Sequence, residues 1–213
     1  MQSLKPILLF AAKFFGSYIF LIILVISTGF NKSHAEWFAN RCDSIFENFF
    51  DAAQIHSNVI SSPNTKSRND VQLRIFSQQI IKKARTEAKA KGQKNVDIDG
   101  VLWSFNSQRT VLMPLLFLLA LIIAYPVTWK RKLVPTAIAL GLFFLFWFLM
   151  MTGVLMLKMH QDTQFFSDYQ LPNFFAGFIY NLLYSLVETS FLIMFLIWGI
   201  TMIRVEDFKQ LIK

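Results

Sequence analysis

The residues that could do chemistry are few. Cys42 is the sole cysteine, and His34, His56 and His160 are the only histidines. A thiolate paired with an imidazole is a nucleophile, so Cys42 with a histidine would give a membrane thiol peptidase or transpeptidase. None of the three histidines stands in a recognisable nucleophile context, and Cys42 falls on an apolar helical face, the place of a buried structural thiol. One cysteine also excludes an intramolecular disulfide. Neither a phosphate-cradling glycine loop nor a metal-spaced His/Cys/Asp/Glu set occurs, so no cofactor or metal is expected and no catalytic residue is assigned.

Glu188 is the second candidate. It lies inside a long apolar run, where a carboxyl must be protonated, paired or turned toward a polar interior. Asn181, Tyr184, Ser185 and Thr189 fall at i−7, i−4, i−3 and i+1, which would place all five on one stripe of a continuous helix. Such a stripe is interhelical glue or a contact with a partner's membrane helix. The alternative is a small transporter or proton-coupled component using Glu188. Lys13 is either the counter-charge of Glu188 or a snorkelling cation at the inner surface. No pair of runs is interrupted by Gly and Pro in matching positions, as a transporter site would ask.

These residues sit in a chain built for lipid. Of 213 residues, 54% are hydrophobic and 16% charged, with 24 Phe. Four apolar runs, Phe14–Phe30, Thr110–Trp129, Leu133–Leu157 and Phe174–Ile203, approach or exceed the roughly 20 residues a helix needs to cross a bilayer. The expectation is a mainly α protein with four transmembrane helices and a small α+β extracytoplasmic module between helices 1 and 2. Its parts are an anchor over 1–30, the module over 31–109, a three-helix region over 110–203 and a tail over 204–213.

Lys130, Arg131 and Lys132 form a basic turn that argues for the inner side. With the basic N-terminus, this predicts a bacterial inner-membrane protein with both termini inside and residues 31–109 and 158–173 outside. The first run could be a signal peptide ending at Ser33-His34-Ala35, but the length from Ile7 to Phe30 favours a retained signal anchor. The net charge of +8 is dispersed and fits anionic lipid surfaces, not nucleic acid.

Within the module, Ser33 and Glu36 form a capping-box pattern. Trp37, Phe38, Cys42, Ile45, Phe46 and Phe49 then predict an outer amphipathic helix from about Ser33 to Ile55. Ser61–Thr65 reads as a loop. Val71, Leu73 and Ile75 alternate as a strand, and Val96, Ile98, Val101 and Trp103 suggest a second. Gln78–Lys91 reads as a helix or a twisted hairpin arm.

The segment Val101-Leu102-Trp103-Ser104-Phe105-Asn106, then Val111-Leu112-Met113-Pro114-Leu115-Leu116 and the basic turn Lys130–Lys132, resembles the strand-into-span passage of small membrane proteins associated with bacterial exosortases. The likeness covers residues 96–160. It implies an accessory protein supporting surface-protein sorting. Exosortases themselves need Cys, Arg and His. No cysteine stands in or beside the last three apolar runs, so the resemblance points to an accessory and not to the sorting enzyme. The reading is a non-catalytic membrane interaction subunit whose partners are membrane lipids and another membrane protein.

Overall fold

The computed structural model describes residues 5–60, 69–92, 98–167, 169–184 and 186–203. Among them are seven α-helices and a three-stranded sheet, divided between two compact units.

The first unit is helical. It holds α1 (Lys5–Ser27), a π-helical turn (Gln108–Leu112) leading into α4 (Met113–Ala124), α5 (Trp129–Gln161) as far as Met150, and α7 (Leu186–Met202). The α4 helix packs against both α1 and α7. Phe117 meets Phe14 and Tyr18 of α1 edge-on and Phe191 of α7 in the same geometry, with ring centroids 5.1–5.9 Å apart. Higher on the same seam, Val25 closes against Leu112 and Leu116. Most of the α4 side chains, Leu118, Ala120, Leu121 and Ile122 among them, are buried. A helix that is apolar all round and covered by neighbours is a core helix.

This corrects the four-span reading. Among the described residues, only α1 and α5 are long and apolar enough to cross a membrane, judged by length and composition. The run Thr110–Trp129 is shortened because Tyr125 precedes Pro126. Its backbone is held extended at ψ 128° and ends α4. Over the run Phe174–Ile203 the described residues give α6 (Asn173–Tyr184) and α7, and neither is among the helices of spanning length. The multi-pass inner-membrane assignment with both termini inside counted four crossings, so it falls with them. The basic turn is likewise not a loop: Lys130, Arg131 and Lys132 belong to the first turn of α5.

The second unit holds α2 (Phe30–Phe46), strands β1 (Ala53–Val59), β2 (Val71–Ser77) and β3 (Val101–Phe105), α3 (Gln78–Lys91), the rest of α5 and α6. The sheet is antiparallel in the order β1-β2-β3, with Ile55 opposite Ile75 and Leu73 opposite Trp103. Strict alternation puts Ala53, Ile55, Val71, Leu73 and Ile75 on one fully buried face. Gln54, His56, Gln72 and Arg74 take the other face.

Helix α2 starts at Phe30, three residues before the capping-box position, because Gly29 adopts φ +67° and ends α1 two residues earlier. It also stops at Phe46, well short of Ile55. The sequence Ala53-Gln54-Ile55-His56-Ser57-Asn58-Val59 alternates with period two, and pairing with β2 outweighs continued helix. The segment Gln78–Lys91 is helical and is closed by Gly92, at φ +66°, whose N–H meets the carbonyls of Ala88 and Lys89.

Gly100 leads into β3 under a tight ceiling. A Cβ there would lie 2.8 Å from the Ile75 carbonyl oxygen and 2.8 Å from Phe76 Cδ1. Gly100→Ala must therefore push β3 away from β2 and should cost about 1–3 kcal/mol. Denaturant midpoints followed by the fluorescence of Trp103, which sits in β3, would register the loss. An unchanged midpoint would contradict the packing described.

Candidate functional site

Helix α2 is where the sequence-named residues converge. Phe38, Cys42 and Phe46, spaced i, i+4 and i+8, are buried against the sheet, with Phe38 edge-on to Phe105 at 5.5 Å. Trp37, Ile45 and Phe49 do not join them and are 46%, 39% and 47% exposed. The predicted single stripe thus splits. Phe38 and Phe46 supply the core, while Trp37, Arg41 and Ile45 form a second i, i+4, i+8 ridge on the outside. The Arg41 guanidinium lies 5.9 Å from the centre of the Trp37 ring, a cation–π distance. Phe49 follows just beyond the helix end, edge-on to Phe46 at 5.9 Å.

Two polar ties hold α2 in register. Ser107 N–H donates to Asp70 Oδ1 at 2.6 Å, and Ser107 Oγ–H donates to Asp70 Oδ2 at 2.9 Å. His34 Nδ1 lies 3.2 Å from the same Ser107 Oγ. Since the hydroxyl proton goes to Asp70, Oγ accepts from His34 Nδ1–H. Further along, Asp43 Oδ1 accepts from Ser57 N–H, and the Ser57 hydroxyl lies between Asp43 Oδ1 and the Ala39 carbonyl. Sequence reasoning missed Asp70, Ser107 and Ser57. The available signal was positional. Asp70 precedes β2 and Ser107 follows β3, and the antiparallel pairing of Val71 with Phe105 brings those ends together.

Serine, histidine and aspartate in contact suggest an acyl-transfer triad, but the order is wrong. In a triad the imidazole accepts the serine proton and the carboxylate holds the imidazole. Here the carboxylate takes the serine proton directly, and His34 and Ser107 are both buried. The cluster ties α2 to the strand ends. Burial pushes His34 below the usual imidazole range, against the opposing pull of Asp70.

Cys42 is fully buried beneath the helix. Burial, with Asp43 next to it, drives its thiol far toward the neutral form. A thiolate nucleophile needs the opposite environment.

The stripe around Glu188 lies partly outside the described residues. Asn181 and Tyr184 lie in α6, Glu188 and Thr189 lie in α7, and Ser185 between them lies outside the described residues. Asn181 is exposed and Thr189 half-buried. The side chains of Tyr184 and Glu188 also lie outside what is described, so the proposed pairing of Glu188 with Lys13 does too; Lys13 itself is exposed. Of the basic trio, Lys130 is exposed and Arg131 half-buried. Lys132 is buried. Its Nζ donates to the Ile123 carbonyl at 2.8 Å and stands 4.8 Å from the Trp129 ring centre. It therefore closes the end of α4, a cation at a helix C-terminus. No group of three or more His, Cys, Asp or Glu is placed to hold a metal among the described residues.

Comparison with protein-family models, with curated proteins and with solved structures gives no match.

The His34 tie has a pH consequence. The folded chain holds His34 neutral down to a lower pH than the unfolded chain, whose histidine titrates near about 6.5. Below that value the unfolded chain binds the extra proton first, so stability falls as pH drops through the window between the two pKa values. Urea midpoints at neutral and mildly acid pH should show this loss in the native chain and a smaller one in His34→Asn. Ser107→Ala leaves the backbone N–H on Asp70 Oδ1 but removes the hydroxyl that donates to Oδ2 and accepts from His34, and should cost about 1–3 kcal/mol at neutral pH. Equal pH slopes for native and His34→Asn chains would contradict the assignment.

Proposed function

We propose that the chain is a non-catalytic, membrane-anchored interaction subunit that presents its α+β module to another membrane protein. The observation that carries this reading is the outer ridge of α2. A module of this size has few large apolar side chains, and it spends Trp37, Ile45 and Phe49 outside its own core. Aromatic residues and arginine in an exposed cluster are the usual anchors of a protein contact.

Anchoring is supported by α1. Its 23 residues are almost wholly apolar, and Val25 alone of its side chains is buried. Exposing Ile7, Leu8, Phe15, Ile19, Phe20, Ile23 and Ile26 to water would cost far more than the helix gains. Lipid around α1, and along the spanning-length α5, removes that cost. The buried, neutral Cys42 weighs against a thiol peptidase or transpeptidase. A place in an exosortase-type sorting system is supported by the resemblance over residues 96–160 alone.

A photocrosslinking amino acid at position 37 or 45, in membranes of the native cell, should yield a discrete heavier adduct. The same group at Arg74, on the polar face of the sheet, should not. Adducts at 74 without any at 37 or 45 would overturn the contact surface. Release of the chain from membranes by alkaline carbonate would overturn the anchoring.

A further inference from the structure

Helix α3 carries part of its charge against its own stability. Its 14 residues include Lys82, Lys83, Arg85, Lys89 and Lys91 and one acid, Glu87. All five cations are exposed, while Ile81 and Ala88, seven positions apart, are turned inward. Side chains three or four positions apart are neighbours on a helix. Glu87 is four positions from Lys83 and four from Lys91, so those two have an acid beside them. Lys82, Arg85 and Lys89 do not. They fall at i, i+3 and i+7, one stripe, and at neighbour spacings along the helix each finds another cation of the trio and no acid.

Like charges at these spacings weaken a helix. Lys89, in the last turn, is favoured by the negative end of the helix dipole, but Lys82 and Arg85 are not. An external anion would turn the repulsion within the trio into attraction. The two large apolar residues of α3, Ile80 and Ile81, are half-buried and buried, so the stripe can hold a partner by charge and not by insertion. From Lys82 to Lys89 the stripe runs about 10 Å, too far for one phosphate group to meet all three cations. It fits an extended surface of negative charge. Such a surface is close at hand if α1 lies in lipid. The chain passes from α1 to α2 through Thr28 and Gly29, so the module stays beside the bilayer that α1 enters.

We propose that α3 rests on the anionic headgroups of that same bilayer, with Lys82, Arg85 and Lys89 facing the phosphates. The contact is electrostatic, so it depends on lipid charge and is screened by salt. Each Lys or Arg held near an anionic leaflet strengthens the attraction about fivefold. The inference rests on the lipid anchoring read from α1 and not on the α2 ridge or on what docks there.

The test uses the full chain with a dye on Thr86→Cys in a Cys42→Ala background, reconstituted into vesicles whose headgroups carry a nitroxide quencher. Thr86 is exposed and next to Arg85. Quenching in vesicles of phosphatidylcholine with phosphatidylglycerol should exceed that in phosphatidylcholine alone by about twofold or more, and high salt should remove the excess. Lys82→Gln, Arg85→Gln and Lys89→Gln combined should remove it too, while Lys83→Gln with Lys91→Gln should leave most of it. All five positions are exposed, so the fold stays intact, as circular dichroism would verify. Equal quenching in the two lipids, or an excess that survives the triple replacement, would overturn the proposal and leave the anchoring standing. A chain that fails to float with the vesicles would overturn the anchoring and the proposal together. Salt-sensitive crosslinks from position 86 to a protein in native membranes, with no response to lipid charge, would assign the stripe to an acidic protein and overturn the lipid contact.

Discussion

The α+β module depends on α2 closing over one face of a small sheet. Strands of seven, seven and five residues leave Ile55, Leu73 and Ile75 on a bare apolar face. Such a sheet needs a cover to be stable. Phe38, Cys42 and Phe46 supply it, and burying each large side chain contributes about 1.5–3 kcal/mol. Apolar packing alone would tolerate some rotation of the helix. The tie of His34 through Ser107 to Asp70 and the tie of Asp43 to Ser57 do not, because a rotated helix would leave buried polar groups unpaired. These ties decide which residues face outward. Trp37, Arg41 and Ile45 form an outer ridge because Phe38, Cys42 and Phe46 are held inward.

In the helical unit the constraint is different. The most buried apolar helix is the short α4, enclosed by α1 and α7, while α1 turns most of its side chains outward. Hydropathy scores the two alike, since it counts side chains and not neighbours. An apolar helix of 12 residues behind a π turn serves as core; an apolar helix of 23 residues with one buried side chain needs lipid around it. Lys132 shows the same economy. A residue first read as a sign of topology instead satisfies the Ile123 carbonyl at the end of α4.

What the sequence made legible follows from period and punctuation. The alternation Val71, Leu73, Ile75 is β2, and Val101 with Trp103 is β3. The helical spacing of Phe38, Cys42 and Phe46 is the inner face of α2. Strand β1 was hidden because the apolar spacing of α2 runs on into Ala53 and Ile55, although Gln54, His56 and Asn58 alternate with them. The ties of Asp70, Ser107 and Ser57 are contacts between residues 14 to 73 positions apart, and only the strand register brings them together.

Helix α2 has one sealed face and one open face, set one residue step apart. Thiol labelling tests it directly on the purified, folded chain. Native Cys42 should resist a small maleimide at neutral and mildly alkaline pH, because it is buried and held as the neutral thiol. A cysteine at position 45, in a Cys42→Ala background, should react at the rate of a free thiol, and urea should bring Cys42 to the same rate. Rapid labelling of Cys42 in the folded chain, or protection of position 45 with no partner present, would contradict the account.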